Sequence, residues 1–407
     1  MKELIIKILK EEAFCNSDKT KCKKMKKLYF TTLSVLIIIM SVLNIAIPDS
    51  VSIFNDQTVK ESFADYPYIT ASTTNGQTIT ASLFGVIPIK KVNLETYPRL
   101  KLCPGGNAFG IKFFTDGVLV IGLSDVKNTQ GNISPSKAAG IEVGDIIKEY
   151  NGNKIENAEM LIKAIEASNG ETINFSISRN GESITLKITP VLSLETNTYK
   201  AGLWVRDSTA GIGTVTFIDK ETNIFAGLGH GICDVDTGVL MPLGKAAVVD
   251  VDITGISKGV VNNPGELKGS FSNIREGFLT ANTDVGVFGL FDSQPEQLHE
   301  AIPIALKNEI KTGKAYIYCT LDGNNVDKFE IEILKLNKNK QDSKNMLIKV
   351  TDERLLAATG GIVQGMSGSP IVQDGKLIGA VTHVLINDPT KGYAIFIENM
   401  INELWEN

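Results

Sequence analysis

The feature that most constrains the fold is a succession of short strand-like segments between residues 200 and 407. Apolar or alternating runs recur there between glycine-rich and polar turns, and no long amphipathic helix precedes the last dozen residues. The runs span residues 212–218, 247–251, 285–290, 315–318 and 377–382. The 37 glycines of the chain suit many tight turns. Regular short strands over such a length predict a mostly β region, either a sandwich or a pair of barrels.

The composition is that of a folded protein without a nucleic-acid-binding charge pattern. The 407 residues suffice for two or three domains, and 43 % hydrophobic with 21 % charged residues argue against overall disorder. The formal net charge is −5, so no global basic field points to a nucleic acid. The five cysteines form no C-x-x-C pair and no zinc-like spacing. We therefore predict no structural disulfide, no metal and no cofactor.

The N-terminal region predicts a membrane anchor. Residues 1–27 end in a lysine cluster, and residues 28–47 are uncharged over a length that can cross a bilayer as a helix. The positive-inside rule then places the N-terminus in the cytoplasm and the rest of the chain outside it. A cleaved signal peptide has a similar pattern, but the long basic region and the lack of a small-x-small cleavage site favour a retained anchor. Residues 48–100 are interpreted as a polar stalk followed by linker strands.

Residues 101–192 are predicted to form one compact unit. A buried strand, a short helix ending at Gly140, Asn-Gly turns and a helix near residues 157–167 follow one another. This order, and above all "AAGIEVGDIIKEYNGNKI", resembles a PDZ domain. The resemblance implies capture of a peptide as an added strand, with Phe109, Gly110 and Ile111 as the carboxylate-binding segment. A PDZ fold that serves only as a packing module remains an alternative.

The strongest chemical signal is Gly365-Met366-Ser367-Gly368-Ser369-Pro370. A serine nucleophile needs an exposed Oγ, small neighbours and backbone N–H groups aimed at the developing oxyanion. The flanking glycines permit such a backbone, which makes Ser367 the candidate nucleophile and the N–H groups of Gly365 and Ser367 the candidate oxyanion donors. A plain Gly/Ser turn is the alternative. The hairpin that follows, with its Asp-Gly turn and apolar return strand, favours the nucleophile.

The segment "GMSGSPIVQDGKLIGAVTH" resembles the nucleophile segment of chymotrypsin-like serine proteases. That fold orders its catalytic residues His, Asp, Ser along the chain. Of the three histidines, His230 lies upstream among small residues and is the candidate general base. His299 fits an ordinary surface or core residue, and His383 lies on the predicted cleft wall. Residue 361, where the fold places the base of its primary pocket, is glycine, which argues against trypsin-like specificity.

Two aspartates compete for the acid that orients the histidine. Asp284 starts a strand between His230 and Ser367, and it is the natural choice by chymotrypsin order and spacing. Asp352 precedes Ser367 by only 15 residues (367 − 352). Either carboxylate can accept the Nδ1–H of an imidazole if the loops bring it close. A His–Ser dyad with a weak or absent acid is a third possibility.

Residues 193–407, together with the PDZ unit, closely resemble the SpoIVB peptidase family of sporulation serine proteases. The stretches that carry the resemblance are "RDSTAGIGTVTF", "GLGHGICDVDTG", "NNPGEL" and "TDERLLAATGGIVQGMSGSPIVQDGKLIGAVTHVLINDPTKGY". The resemblance implies a chymotrypsin-like double β-barrel with a triad of His230, Asp352 and Ser367.

That resemblance also implies a cellular role. It implies a serine endopeptidase in the space between the forespore and mother-cell membranes, which cleaves itself and the regulator SpoIVFA. Cleavage of SpoIVFA would trigger intramembrane processing of the late mother-cell sigma factor precursor. A catalytically inert, membrane-anchored PDZ adaptor is the competing hypothesis, and an intact Ser367, His230 and glycine context argue against it.

Overall fold

The computed structural model describes residues 19–60, 63, 66–75, 77–295, 298–339 and 342–406. Their contacts divide the chain into two compact units, one that ends at Pro98 and one that starts at Arg99. The helices are α1 Lys19–Ala46, α2 Pro135–Ala138, α3 Ala158–Ala167, α4 Glu353–Thr359 and α5 Ile397–Glu406.

The first unit contains the apolar helix and a small sheet. Within α1, residues Lys27–Ala46 have a mean hydropathy of 2.1 and are long and apolar enough to cross a membrane, in agreement with the predicted anchor. A signal sequence would have the same properties. Most of the predicted cytoplasmic segment, residues 1–18, lies outside the described residues.

The predicted stalk contains a sheet with its own core. Its strands are β1 Ser50–Phe54, β2 Ile69–Asn75, β3 Thr78–Leu83 and β4 Ile87–Tyr97, in the order β1-β4-β3-β2. Strand β1 runs parallel to β4, and Ile53, Ile79 and Val92 are buried between them and neighbouring residues. Strand β2 could not be predicted from its sequence, because only small and polar residues follow Ile69 and no apolar alternation marks it as a strand.

The second unit is β-rich throughout. Its earlier strands are β5 Lys101–Pro104, β6 Ala108–Leu123, β7 Val126–Asn128, β8 Gly131–Ile133, β9 Ile146–Tyr150, β10 Asn153–Lys154, β11 Ile173–Arg179, β12 Glu182–Ile188, β13 Val191–Leu192 and β14 Tyr199–Lys200. Its later strands are β15 Leu203–Ile218, β16 Ile224–Gly227, β17 Leu243–Ser257, β18 Glu266–Thr283, β19 Gly286–Phe291, β20 Ile302–Pro303, β21 Gly313–Thr320, β22 Val326–Leu336, β23 Met346–Val350, β24 Pro370–Gln373, β25 Lys376–Val384 and β26 Lys391–Phe396.

Two closed rings of strands form the body of this unit. The first ring runs β6-β17-β18-β19-β16-β15 and closes because β15 also pairs with β6. Its interior is filled by apolar side chains that include Phe109, Phe113, Phe225 and Val287. The second ring is the closed barrel β21-β22-β23-β26-β25-β24. The predicted double β-barrel is therefore confirmed.

The first barrel takes strands from both sides of the PDZ region. The first half of β6 pairs with β15 and β17 in the barrel, where Phe109 lies opposite Gly213 and Asp250. The second half continues into a separate sheet with β9, β11 and β12, and α3 packs beside it. The chain then returns through β15, whose first residues pair with the second half of β6. The PDZ module is thus inserted into the first barrel, whereas the sequence predicts a PDZ domain at residues 101–192 that precedes the protease domain.

Candidate active site

The loop that carries Ser367 has the backbone that a nucleophile requires. Gly365 and Gly368 have φ values of +97° and +96°, which side chains with a Cβ rarely adopt. A Cβ at Gly368 would lie 2.0 Å from the carbonyl oxygen of Thr214, so the loop also needs glycine for its close approach to β15. Ser367 itself is half-buried.

Two threonines of β15 hold this loop in place. Thr214 donates its backbone N–H to Ser367 O at 2.9 Å and its hydroxyl to Gly365 O at 2.8 Å. The Thr216 hydroxyl donates to Gly368 O at 2.8 Å. All three bonds use carbonyl oxygens of the loop, so they leave its N–H groups available.

The predicted oxyanion donors are open. Across the described residues, no acceptor takes the N–H of Gly365 or of Ser367, whereas the neighbouring N–H groups of Met366 and Gly368 bond to Val363 O and Val381 O. Two unpaired N–H groups at alternate positions of a tight turn are the arrangement that stabilises an oxyanion.

The Ser367 hydroxyl donates its hydrogen bond to Thr382 O, at 2.8 Å. Thr382 belongs to β25, the return strand of the hairpin that follows the nucleophile. The hydroxyl has a single proton, so this bond must break before a histidine can take that proton.

His230 lies in the turn that follows β16, on the first barrel. Leu228, two residues earlier, has a φ of +64°, which is uncommon for a branched side chain and indicates a turn held by its surroundings. The Asn282 side chain fastens the same turn, since its amide donates to Ile232 O and Met241 O while its oxygen accepts from Ile232 N.

The imidazole of His230 is arranged to act as a neutral base. Its Nδ1 lies 2.9 Å from Gly231 O, and because a carbonyl only accepts, this bond places the proton on Nδ1. Nε2 is then the basic nitrogen. Burial lowers the pKa of His230, which keeps the ring neutral at neutral pH.

His383 packs against His230, and the sequence did not predict this contact. The two ring centroids are 4.9 Å apart. Burial first, and then the charge of a protonated His230, lower the pKa of His383 to about 4. Its Nδ1 is buried without a hydrogen-bond partner among the described residues. Thr382 contacts Ser367 and the next residue contacts His230, so one short segment of β25 brings the two candidate catalytic groups together.

Asp284 lies at the tip between β18 and β19, beside the histidines. It lines a cavity of about 540 Å³ whose other residues are His230, Gly231, Cys233, Val285, Asp342, Ser343 and His383. Asp284 is exposed, and no described residue donates a hydrogen bond to its carboxylate. Its carboxylate is therefore available to the imidazole, although Gly231 O occupies Nδ1 in this structure.

Asp352, by contrast, is the N-cap of α4. Its carboxylate accepts from Arg354 N at 3.0 Å, from Glu330 N at 3.3 Å and from the Arg354 guanidinium. The hydrogen bond from the guanidinium, more than any other cause, lowers the pKa of Asp352. Asp352 does not line the cavity that holds His230. It stands at the start of the segment that leads to the nucleophile loop.

Comparison with known families identifies the chain. A model described as SpoIVB peptidase S55 matches residues 197–401, about half of the chain. The chain belongs to the SpoIVB peptidase family. A PDZ domain model matches residues 115–189. Membership of the SpoIVB peptidase family supports the prediction of a serine endopeptidase.

Individual relatives cover smaller parts. A protein of Lactococcus lactis named putative zinc metalloprotease LL2128 is 29 % identical over 126 residues, which are 30 % of this chain and 27 % of that protein. The chain thus spans about a quarter of the length of that curated relative. Over the described residues, no group of three or more His, Cys, Asp or Glu side chains is arranged to hold a metal ion.

Two solved structures resemble parts of the chain. The PDZ domain of the SdrC-like protein Lmo2051 from Listeria monocytogenes is 22 % identical, covers 22 % of this chain and 87 % of its own, and has a TM-score of 0.19. The active form of the Rv3671c protease from Mycobacterium tuberculosis is 12 % identical, covers 49 % and 74 %, and has a TM-score of 0.27.

The segment that the PDZ resemblance implies to bind a peptide carboxylate lies in the first barrel. Phe109, Gly110 and Ile111 lie before the matched PDZ residues, in the half of β6 that belongs to the first barrel. Strands β15 and β17 pair with them on both sides, and Phe109 and Ile111 are buried. Their backbone groups bond within the sheet, so this placement argues against the predicted carboxylate-binding role.

The other residues considered in the sequence, which are His299, three cysteines and Gly361, have no catalytic contact among the described residues of this structure. His299 packs against the ring of Tyr318, with centroids 5.0 Å apart, and burial lowers its pKa. Cys103, Cys233 and Cys319 are free thiols. Burial raises the pKa of Cys233, so this thiol beside the active-site cavity stays protonated. A Cβ at Gly361 would lie 2.1 Å from Pro389 O, which explains the glycine there.

Proposed function

We propose that this SpoIVB-family protein is a serine endopeptidase in which Ser367 is the nucleophile and His230 the general base. The observation that carries the proposal is the convergence of both residues on adjacent positions of β25. The open N–H groups of Gly365 and Ser367 support it, because they stabilise charge that develops only during the reaction.

The reaction follows from these groups. Ser367 Oγ leaves Thr382 O and attacks the peptide carbonyl carbon while His230 Nε2 takes its proton. The carbonyl oxygen becomes an oxyanion held by the N–H groups of Gly365 and Ser367. His230 then gives the proton to the leaving amine as the C–N bond breaks. Water, deprotonated by His230, hydrolyses the acyl-enzyme and restores the hydroxyl.

The third catalytic residue has two candidates. The position of Asp284 in the His230 cavity supports it as the acid that replaces Gly231 O at Nδ1 during the reaction. The family resemblance supports Asp352, whose carboxylate is engaged by α4 and Arg354. A dyad in which Gly231 O alone orients the ring is consistent with the bond at Nδ1.

We further propose the cellular role that the family implies. The protein is anchored by α1 with its N-terminus in the cytoplasm and its protease unit in the space between the forespore and mother-cell membranes. There it cleaves itself and SpoIVFA, which triggers processing of the late mother-cell sigma factor precursor. Family membership and the apolar helix support this role.

Self-cleavage on a gel, with labelling by a serine-directed phosphonate, tests the proposed activity. We expect the full chain in detergent to be clipped and labelled, and Ser367→Ala to remain whole and unlabelled. Ser369→Ala is the matched control, because the Ser369 hydroxyl is buried without a partner among the described residues. It should behave as wild type.

Identical behaviour of wild type and Ser367→Ala would instead favour the inert adaptor. The adaptor hypothesis is favoured by one observation: the Ser367 hydroxyl donates its hydrogen bond to Thr382 O rather than to His230.

A further inference from the structure

The hairpin that joins β3 to β4 in the first unit exposes a group of large apolar side chains. Residues 66–89, which include this hairpin, contain no charged side chain. At the tip, Phe84 is 67 % exposed and Val86 is 80 % exposed. The ring of Tyr68 packs edge-on against that of Phe84, with centroids 5.7 Å apart. Exposed apolar groups that cluster in this way mark a surface that meets something other than water.

The turn at this tip has a backbone that an aromatic residue rarely adopts. Phe84 and Gly85 have φ values of +51° and +72°. Two other turns of the chain, at residues 151–152 and 180–181, have similar positive angles and carry Asn-Gly, the pair that favours this geometry. Phenylalanine in such a turn costs folding stability, and strain of this kind points to a use outside the folded unit.

The backbone of the tip is suited to a location with little water. The Phe84 N–H donates to Tyr68 O at 2.9 Å, and the Val86 N–H donates to Leu83 O at 3.1 Å. An N–H group that is already paired loses little when it leaves water, whereas an unpaired one is costly in lipid.

Two side chains tie this part of the sheet to the end of α1. The Tyr66 hydroxyl donates to Ala46 O at 3.0 Å. The Lys90 ammonium donates to Asn44 O at 3.2 Å and to Ile47 O at 2.7 Å. The last turn of the apolar helix therefore lies against the part of the sheet that carries the hairpin.

The direction of the strands places the tip on the membrane side of the helix end. Strand β1 leads away from α1 and runs parallel to β4, with Ser50 opposite Asn93. Strand β4 starts at Ile87, six residues earlier (93 − 87), so it extends about 20 Å back from the level of Ser50. Lys90, halfway along this extension, is already beside the helix end. The tip lies about 10 Å beyond Lys90.

The length of the apolar helix indicates what surrounds that position. The 20 residues Lys27–Ala46 span about 30 Å as a helix, which matches the hydrocarbon thickness of a bilayer. The end of α1 then lies at the boundary between acyl chains and headgroups, where tyrosine and lysine side chains are favoured. Tyr66 and Lys90, which bond to the helix end, are of these two types. The apolar tip beyond them lies at the depth of the acyl chains.

We propose that the hairpin between β3 and β4 inserts Phe84 and Val86, with the ring of Tyr68, into the lipid leaflet beside the end of α1. The hairpin is thus a second, non-helical attachment to the bilayer, and its partner is lipid. A single helix is free to tilt and rotate, whereas a helix and a hairpin together fix the orientation of the sheet on the membrane. The inference rests on the retention of α1 as an anchor, which is part of the proposed function.

Quenching of a tryptophan reporter by lipid tests the insertion. The full-length chain is reconstituted into phosphatidylcholine vesicles, with or without lipid that carries a nitroxide on its acyl chain. The reporters are Val86→Trp at the tip and Ile45→Trp at the end of α1, each corrected for the signal of the two native tryptophans. We expect both reporters to be quenched to a similar extent.

Gln77→Trp is the matched control in the same sheet. Gln77 is exposed, and its carbonyl oxygen accepts from Leu94 N, seven residues along β4 from Ile87 (94 − 87). This position lies about 23 Å from the start of β4, so we expect its quenching to be several-fold weaker than that of Val86→Trp.

The three reporters distinguish failure of the hairpin from failure of the anchor. Quenching of Ile45→Trp without quenching of Val86→Trp above the Gln77→Trp control overturns the insertion and leaves the anchor standing. Lack of quenching at both Ile45→Trp and Val86→Trp rejects the anchor, and the inference falls with it.

Phe84→Asn tests whether the apolar side chain causes the insertion. Asparagine suits the positive φ at this turn, so the variant keeps the hairpin and loses the ring. In a chain with Tyr68→Trp as the reporter, we expect Phe84→Asn to reduce quenching several-fold, while Phe84→Leu retains it. Unchanged quenching in Phe84→Asn would show that attachment to α1 alone places the tip, and would overturn the role of Phe84.

Discussion

The surroundings of Asp284 and Asp352 differ in how far each carboxylate is already engaged. Asp352 receives hydrogen bonds from Glu330 N, Arg354 N and the Arg354 guanidinium, and its side chain is 14 % exposed. Asp284 is exposed at a hairpin tip in the His230 cavity. A saturated carboxylate is suited to hold a helix in place, while an open one is suited to receive the proton of a moving imidazole. Chain order and local bonding therefore favour Asp284 as the catalytic acid, although the family resemblance favours Asp352.

The largest expected effect comes from exchanging each aspartate for asparagine. Asp284→Asn should lower kcat/KM by about 10⁴, the loss typical of a triad whose histidine loses its acid. Asp352→Asn should stay within a few-fold of wild type, since asparagine caps a helix as well as aspartate does. Rates of peptide cleavage in the purified full chain measure both.

The opposite ranking would make Asp352 the acid and reduce Asp284 to a surface residue. Small losses in both variants would leave the His–Ser dyad as the catalytic unit.

A smaller effect is expected on stability. Asp352→Ala should lower the free energy of unfolding by about 2 kcal/mol, because it removes the N-cap of α4 and leaves Glu330 N without its acceptor. Asp284→Ala should change it by less than about 0.5 kcal/mol, as an exposed substitution does. Urea unfolding of the two variants, with Asp352→Asn as the capping control, provides the measurement. Equal stability of all three would show that α4 does not depend on its cap.

The smallest expected effect is on the pH profile. His230 must be neutral to act, and burial lowers its pKa, so the acid limb of kcat/KM should lie below about 6.5. A carboxylate paired with the imidazolium raises the histidine pKa, and Asp284→Asn should therefore move this limb about one pH unit lower. Asp352→Asn should leave it in place. A shift in the Asp352 variant alone would reverse the comparison of the two aspartates.

Much of the site could be predicted from sequence because its signals are local. Short contiguous segments carry these signals: the glycines around Ser367, the hairpin after it and the small residues around His230. Each indicates a particular backbone conformation, such as the positive φ of Gly365 and Gly368. The approach of His383 to His230 depends on closure of the second barrel against the first, which no local pattern records. The capping role of Asp352 similarly requires Glu330 from a distant strand.

The fold was predicted less completely where one element serves two domains. A glycine pair and alternating apolar residues predict one compact unit over residues 101–192. In the structure, β6 is a single strand shared by the first barrel and the PDZ sheet. Its second partner, β15, follows some eighty residues later (203 − 123). Periodicity identifies each strand but not the partner with which it pairs.

Insertion of the PDZ module into the barrel also orders the events of synthesis. Strand β6 leaves the ribosome well before β15, and the first barrel cannot close until residues near 218 have followed. Ser367 emerges later still, so the strand that positions it is made before the nucleophile itself. A chain still being synthesised therefore holds an unpaired barrel strand and no assembled catalytic groups. A protease made in this order cannot cleave another protein before its own synthesis has passed the nucleophile loop.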